Sequence, residues 1–307
     1  MVEISVVTSL YKSGSYLRDF FERHIKCFNE LNLSYEFVLV DDGSPGNDVS
    51  VVHELGKTFH NIKLIELSKN FGQQSAMYAA LEAANGAYVL ALDCDLEEEP
   101  ENFLKMYEMM QLDSGIDVVF GVTKQRTGGL YNKIYGELFY KLLNFVSTTE
   151  IPKNQAWQRL MRRNYVLSLL QFKEAESLFA GLMAMTGFKQ EPLEIRRNFK
   201  GQSSYDFMKR AKLALNSIVA FSSAPLIYIS LLGFLITFVA SVVVAIIIFR
   251  KFSNDNYQAG WSSIVVSIWM VGGLILSSVG VVGIYISKIF NQVKNRPKYL
   301  IKKITNF

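Results

Sequence analysis

The sequence predicts an α/β fold with a mainly parallel sheet, followed by membrane-spanning segments. Two observations lead to this fold class. Over the first 203 residues, short apolar runs alternate with segments whose apolar residues recur every three or four positions. After residue 225, the composition changes to two long runs without a charged residue. Strands that alternate with helices pair in parallel and bury both faces of their sheet.

The order of the elements follows from these patterns. Short apolar runs bounded by turn residues suit strands that are buried on both faces. In chain order, the predicted strands are residues 3–8, 35–40, 62–67, 87–92 and 117–121. The segments between them show the three-to-four spacing of helices packed on a sheet. The predicted helices are residues 16–31, 48–58, 73–84 and 101–111.

Two membrane spans are predicted in the last third of the chain. Residues 226–249 and 261–287 carry no charge, and each exceeds the roughly 20 residues that cross a bilayer core. Trp261 and Tyr285 stand near the ends of the second run, as aromatic residues do at membrane interfaces. Basic residues precede the first span and follow the second, at Lys209, Arg210, Lys212, Lys288, Lys294, Arg296, Lys298, Lys302 and Lys303. We therefore expect a multi-pass protein of the inner (plasma) membrane with both termini in the cytoplasm.

Four regions are expected from these boundaries. They are a cytoplasmic domain over 1–203, a juxtamembrane helix over 204–224, a two-helix transmembrane hairpin over 225–290 and a basic cytoplasmic tail over 291–307. The juxtamembrane segment intersperses basic residues among apolar ones, which suits an amphipathic helix on a lipid surface. A solvated helix packed on the cytoplasmic domain is the alternative.

The amino-acid composition bears on the class of partner and on the cellular compartment. The 32 basic and 28 acidic residues give a net charge of +4, which does not indicate a nucleic-acid partner. Cys27 and Cys94 are far apart, and Cys94 lies between two acidic residues, so we expect free thiols in a reducing compartment. The chain opens directly on a predicted strand, and no signal peptide is expected.

An acidic pair ends the fourth predicted strand. Asp93 and Asp95 follow the apolar residues 87–92, and ligands of open α/β sheets bind at the carboxyl ends of the strands. Carboxylates at this spacing suit Mg²⁺ or Mn²⁺ shared with substrate phosphates. An acidic helix cap is the simpler interpretation when the pair is taken alone.

Polar residues also follow the first three strands. In chain order they are Thr8, Ser9 and Tyr11, then Asp41 and Asp42, then Asn70 and Gly72. Because the carboxyl ends of parallel strands share one edge, we expect these clusters to converge. An Asp there can accept a hydrogen bond from a nucleoside, and amides at a helix start can approach a phosphate. Asp41-Asp42-Gly43-Ser44 alone is also a common turn sequence, and the Asn70 cluster alone is a weak signal.

In order and spacing, these motifs over residues 4–95 resemble the family 2 glycosyltransferases. The resemblance implies a GT-A-like domain that binds a nucleotide-diphospho-sugar. Within the family, Arg159-Leu160-Met161, residues 201–205, residues 222–226 and the two spans resemble the polyprenyl-phosphate sugar transferases. These are the relatives of dolichol-phosphate mannose synthase and of the undecaprenyl-phosphate glucosyltransferases.

The resemblance also implies roles for individual positions. Asp93 and Asp95 would hold the divalent ion against the diphosphate, while Asp41 and Asp42 would recognise the nucleoside. The full set of donor-site candidates is Thr8, Ser9, Tyr11, Asp41, Asp42, Asn70, Gly72, Asp93 and Arg126. The catalytic candidates are Asp95, Arg159 and Glu176. A guanidinium binds phosphate through two parallel hydrogen bonds, although a surface role is an alternative for Arg126, as it is for Glu176.

A basic group precedes the juxtamembrane segment. Its members, with two neighbouring hydroxyl residues, are the acceptor-phosphate candidates Arg196, Arg197, Lys200, Ser203 and Tyr205. A phosphate anchored at a membrane surface would meet the sugar donor there. Nonspecific binding of lipid headgroups is the alternative.

One position departs from the family pattern. Many relatives carry an Asp two residues before the Arg of the Arg-Leu-Met motif, where this chain has Trp157, and the next residue is Gln158. A sugar hydroxyl acceptor would need a base there. A phosphate monoester has a second pKa of about 6 and is already mostly dianionic at neutral pH, so it needs none. Glu174 or Glu176 could still supply a carboxylate.

These inferences predict an inverting glycosyltransferase that moves one sugar from a nucleotide-diphospho-sugar to polyprenyl (undecaprenyl) phosphate. Inversion is implied by the family. A processive polysaccharide synthase is disfavoured, because the chain has no Gln-x-x-Arg-Trp motif and only two spans. A catalytically silent membrane scaffold that binds nucleotide-sugar is the other alternative. Small residues at Gly272, Gly273, Ser277 and Gly280 permit helix packing in a homo-oligomer or within the hairpin.

Overall fold

The computed structural model describes most of the chain. The described residues are 2–123, 155–172, 182–183, 185–197, 226–236, 238–239, 242 and 261–307. They fall into two compact units, one built on a sheet and completed by residues 297–307, and one within residues 207–296.

The first unit is organised around an eight-stranded sheet. Its strands, in chain order, are β1 (Ile4–Leu10), β2 (Tyr35–Asp41), β3 (Ile62–Leu67), β4 (Tyr88–Ala91), β5 (Val118–Val122), β6 (Gln155–Arg162), β7 (Gln190–Glu194) and β8 (Ile301–Asn306). They lie in the order β7-β5-β6-β4-β1-β2-β3-β8. Strands β1 to β4 are mutually parallel, which confirms the predicted α/β fold with a mainly parallel sheet.

Helices cover both faces of this sheet. They are α1 (Leu17–Glu30), α2 (Asp48–Leu55), α3 (Gln73–Ala83), α4 (Asn102–Leu112) and α5 (Arg163–Leu169). One buried cluster joins the sheet to α1, α2 and α4, and a second joins it to α3 and α5. Aromatic rings dominate the first cluster, where Phe21 and Phe37 meet edge to face with centroids 4.5 Å apart. Such burial on both faces explains why the strand sequences are apolar throughout.

Two strands depart from the parallel arrangement. Strand β6 runs antiparallel between β4 and β5 and carries the Arg159-Leu160-Met161 motif. Strand β8 runs antiparallel along β3 and forms one edge of the sheet. The sequence predicts a basic tail over 291–307, whereas the structure incorporates residues 301–306 into the sheet. Backbone hydrogen bonds from Ser68 to Leu300 and from Phe307 to Ile62 hold that strand at both ends.

Among the described residues, the second unit contains one short and one long apolar helix. Helix α6 spans Leu226–Ile236, and helix α7 spans Trp261–Val293. Within α7, Met270–Val293 is long and apolar enough to cross a membrane. The second predicted span is therefore matched by such a helix among the described residues, whereas the first is described only in part. The predicted juxtamembrane helix over 204–224 lies outside the described residues.

Candidate active site

The loops that follow β1 to β4 meet at one edge of the sheet. The register pairs Leu10 with Asp41 and Val7 with Ala91, so the carboxyl ends of β1, β2 and β4 lie side by side. The backbone N–H of Leu92 continues this alignment by donating to the carbonyl of Val7. The predicted convergence of the polar clusters at this edge follows from the parallel pairing.

The acidic pair lies in the loop after β4. Asp93 and Asp95 are both partly exposed. Asp93 accepts a hydrogen bond of 2.7 Å from the side-chain amide of Gln73, and Asp95 accepts one of 3.0 Å from the backbone N–H of Glu97. Burial, together with the negative charges of Glu98 and Asp95, raises the pKa of Asp93 to about 7. Excess negative charge of this kind fits a cation site.

The donor set also fits a hard divalent ion. Carboxylate oxygens are the ligands that Mg²⁺ and Mn²⁺ prefer. In the part of the chain that the structure describes, no three His, Cys, Asp or Glu side chains surround a common point. An ion held by Asp93 and Asp95 would also bind oxygens of the substrate or water.

The backbone between the acidic pair and α4 is strained. Leu96 has a φ of 59°, in the left-handed region, and its side chain is buried. A left-handed conformation costs a branched residue about 1–2 kcal/mol. Neighbouring contacts hold it there. The carboxylate of Glu98 accepts hydrogen bonds from the backbone N–H groups of Trp157 and Gln158 in β6, at 2.9 and 2.6 Å.

Asp42 is engaged by the protein itself. It is 3% exposed, and its two carboxylate oxygens accept the backbone N–H groups of Phe71 and Gly72, at 2.7 and 2.9 Å. The structure thus gives Asp42 the task of holding the loop before α3, where the sequence predicts a nucleoside contact. Asn70 is exposed in that loop and accepts the N–H of Gly72, whose φ of 92° favours glycine.

The neighbouring carboxylate, Asp41, is less constrained. It is also buried, and its one side-chain hydrogen bond among the described residues links it to the backbone N–H of Ser44 at 3.3 Å. Burial raises the pKa of Asp41 to about 6. Gly43 follows with a φ of 61°, and a Cβ there would lie 2.6 Å from the backbone nitrogen of Asn70. The second and third loops therefore touch, backbone against backbone.

The loop after β1 is held by one residue that the sequence reasoning missed. Asp48, 1% exposed at the start of α2, accepts the backbone N–H groups of Ser13 and Gly14 at 2.9–3.1 Å. Tyr11, two residues before Ser13, is 48% exposed at the edge of the sheet. The sequence offered one signal for this role, an acidic residue at the first position of a predicted helix. Such a residue indicates the start of a helix equally well.

Thr8 and Arg159 do not reach the surface of this site. Thr8 is completely buried within β1, whereas the adjacent Ser9 is partly exposed. Arg159 is 4% exposed, and its guanidinium donates to the carbonyls of Trp157 and Ala156 and contacts the sulfur of Met183. These placements argue against the predicted contacts of Thr8 with a base and of Arg159 with a phosphate, because both side chains are enclosed by protein.

Arg197 does lie beside the acidic loop. Its side chain, 43% exposed, forms an ion pair of 2.8 Å with Glu97, and its positive charge lowers the pKa of Asp93. Arg196 is exposed as well. The remaining predicted positions lie outside the described residues: Arg126, Glu176, Lys200, Ser203 and Tyr205.

Sequence comparison decides the family. The profile described as glycosyl transferase family 2 matches residues 5–170, which contain β2 to β6, nearly all of β1 and the loops after β1 to β4. The chain belongs to glycosyltransferase family 2. A glycosyltransferase of Mycobacterium tuberculosis is 34% identical over 303 residues, covering 99% of this chain and 88% of the relative. The family 2 match therefore falls on the sheet unit, of which it leaves out β7 and β8.

Two further comparisons concern a full-length relative and the fold. The prophage-derived bactoprenol glucosyl transferase of Shigella flexneri is 31% identical over 306 residues, covering 98% of each chain. Among solved structures, a crystal structure of a mycobacterial protein shares the fold, with a TM-score of 0.50 and 16% identity, over 73% of this chain and 76% of that one. The similarity to the Shigella protein includes the apolar C-terminal third.

Proposed function

We propose that this glycosyltransferase moves a single sugar from a nucleotide-diphospho-sugar to polyprenyl phosphate at the cytoplasmic face of the membrane, with inversion at the anomeric carbon. The observation that carries the proposal is the similarity to bactoprenol glucosyl transferases over 98% of both chains, which spans the sheet unit and the apolar helices. Helix α7 supports the membrane location, since it is long enough to cross a bilayer. In this proposal α6 belongs to the other span, and both termini are cytoplasmic.

Donor activation would take place at the carboxyl edge of the sheet. Asp93 and Asp95 would hold Mg²⁺ or Mn²⁺, which when bound neutralises charge on the diphosphate leaving group. Tyr11 is exposed in the loop after β1, the strand next to β4, and would border the nucleoside. Asp48 holds the loop that carries Tyr11, and Asp42 holds the loop before α3, so the site needs little reorganisation when the donor binds.

The acceptor would attack without a dedicated base. Trp157 replaces the family carboxylate, and its backbone and ring pack beside Arg159 within β6. A lipid phosphate is already mostly dianionic at neutral pH, because its second pKa is about 6, so it needs positioning and charge neutralisation. Arg197, beside Glu97 at the acidic loop, is placed to supply a positive charge.

Transfer to undecaprenyl phosphate tests the proposal directly. Purified protein in membranes is incubated with Mn²⁺, radiolabelled sugar nucleotides and undecaprenyl phosphate, and we expect an organic-soluble lipid carrying one sugar. Asp95→Ala should lower this rate by about 10²–10³-fold, as loss of an electrostatic contact at a reacting centre does. Asp113→Ala removes a carboxylate that pairs with Lys189 on the surface, and this control should keep normal activity.

Other products would contradict the proposal. Long polymer would indicate a processive synthase, and absence of product with every donor would indicate a scaffold. Unchanged turnover in Asp95→Ala would contradict the assigned metal site even if the lipid product formed.

A further inference from the structure

Glu98 is a buried carboxylate that the proposed reaction does not use. It is 2% exposed, and its oxygens are occupied by two consecutive backbone N–H groups of β6, those of Trp157 and Gln158. Hydrogen bonds to a carboxylate are roughly twice as strong as neutral ones, and no water can replace them at a buried position. Glu98 therefore fixes the loop that contains it to β6.

Gln158 makes the same connection in the opposite direction. Its side chain is completely buried within β6. The side-chain nitrogen donates to the carbonyl of Glu99 at 3.0 Å, and the side-chain oxygen accepts from the amide of Asn102 at 2.9 Å. Together with the bonds to Glu98, these contacts form what we call the Glu98–Gln158 junction. It joins β6 to the loop after Asp95 and to the first residue of α4.

The junction stands directly after the metal-binding carboxylates. Only Leu96 and Glu97 separate Glu98 from Asp95, and Leu96 is held in a left-handed conformation. A strained residue persists only when its surroundings fix it. Backbone pairing between Glu98 and Arg197 adds a contact on the other side of the loop. The direction of Asp95 therefore depends on whether Glu98 stays attached to β6.

We propose that Glu98 and Gln158 are positioning residues, which set the geometry of Asp93 and Asp95 for the divalent ion by fixing their loop to strand β6. This inference rests on the proposed function for the identity of the bound groups. Partners that orient metal ligands commonly change metal affinity by about 10–100-fold when they are removed. A purely structural junction would instead lower stability and leave metal affinity unchanged.

Matched amide and thioether substitutions test the junction. Glu98→Gln presents an NH₂ group to a backbone N–H and so leaves one donor without an acceptor. Gln158→Met keeps the volume of the side chain and removes both of its hydrogen bonds. Glu101→Gln is the control, because it makes the same chemical change three residues away, at a surface ion pair with Arg23.

Metal binding is measured on the full-length protein without any acceptor. The thermal midpoint is followed against Mn²⁺ concentration in the presence of uridine diphosphate or guanosine diphosphate, since a bound ligand raises it by mass action. We expect Glu98→Gln and Gln158→Met to need at least about 10-fold more Mn²⁺ for the half-maximal shift. The shift caused by nucleoside diphosphate without metal should change less than about twofold, and Glu101→Gln should match the wild type.

The other outcomes contradict either the positioning role or only the proposed function. A lower midpoint with unchanged Mn²⁺ dependence in both variants would show that the junction is only structural. If Glu98→Gln does not fold, Gln158→Met alone decides. A wild type that shows no Mn²⁺-dependent shift with either nucleotide would also overturn the positioning role. A wild type that responds to Mn²⁺ but forms no lipid-linked sugar would refute the proposed function and leave the junction standing.

Discussion

Replacing Asp42 with Asn separates two roles for this carboxylate. In the structure it holds the loop before α3 through the N–H groups of Phe71 and Gly72, at 2.7 and 2.9 Å. The asparagine keeps the shape of the side chain and one acceptor oxygen. Its NH₂ group faces the second N–H, so one of the two bonds to a charged oxygen is lost in a site that is 3% exposed, although the N–H of Gly72 keeps the side-chain oxygen of Asn70 as an acceptor. The folded protein should therefore lose stability before any ligand is present.

The size of the effect follows from these contacts. A hydrogen bond to a charged group contributes about 1.5–3 kcal/mol, and the bond that remains is weakened because the asparagine oxygen is neutral. We expect Asp42→Asn to lose about 2–3 kcal/mol. For a unit of roughly 200 residues, each kcal/mol shifts the midpoint by about 2–4 °C, so the melting temperature should fall by about 4–12 °C.

Asp41→Asn provides the matched control for this measurement. Asp41 is also buried, but its bond to the N–H of Ser44 is 3.3 Å long, and burial raises its pKa to about 6. Removing this poorly stabilised charge should cost less than about 1 kcal/mol. Thermal melts of the three proteins without ligand decide the matter. If Asp42→Asn melts within about 1 °C of the wild type and loses only its response to sugar nucleotide, Asp42 is a nucleoside contact and the loop-holding role is wrong.

Two further predictions concern the acceptor and the core. Arg197→Ala should raise the KM for lipid phosphate at least about 10-fold with little change in donor KM, because it removes a positive charge beside the acidic loop. The neighbouring substitution Arg196→Ala is measured for comparison. Equal KM values for lipid in the wild type and in Arg197→Ala would contradict the role assigned to Arg197. Burial lowers the pKa of His24 to about 4, below the ordinary value of 6.5. Its contribution to stability is therefore complete above pH 6.5 and is lost as the pH falls towards 4, by about 3 kcal/mol in total. His24→Leu should reduce the dependence of the melting temperature on pH over that interval. Parallel pH profiles for the variant and the wild type would show that other groups cause the loss.

The central strands were predictable because they are buried on both faces. Strands β1 to β5 each begin and end within two residues of the predicted bounds. The bounds agree because a short run of apolar residues is typical of a strand that is buried on both faces. Strand β6 was not predicted, because Gln158 and Arg159 interrupt its apolar residues and are buried only through specific hydrogen bonds. Strand β8 was missed for a different reason. Its residues are mostly exposed at the sheet edge, so the sequence carries no apolar period.

The location of the site was predictable, but the role of each carboxylate was not. Asp93 and Asp95 follow a buried strand, and parallel pairing alone brings them to the edge with the other loops. The partners of Asp42, Asp48 and Glu98 are backbone N–H groups that lie 29, 35 and 60 residues away along the chain. Any residue type supplies such an N–H, so no sequence pattern reveals the pairing.

The carboxylates at this edge divide by what occupies their oxygens. Asp42, Asp48 and Glu98 are at most 3% exposed, and each accepts two consecutive backbone N–H groups from another loop or strand. Desolvation makes a buried charge costly unless such bonds offset it, so these three carboxylates serve to fix the loops. Asp93 and Asp95 are partly exposed, and the first keeps a raised pKa that added positive charge would lower. Substitutions in the first group should therefore lower stability without ligand, whereas those in the second should lower it only when metal and donor are present.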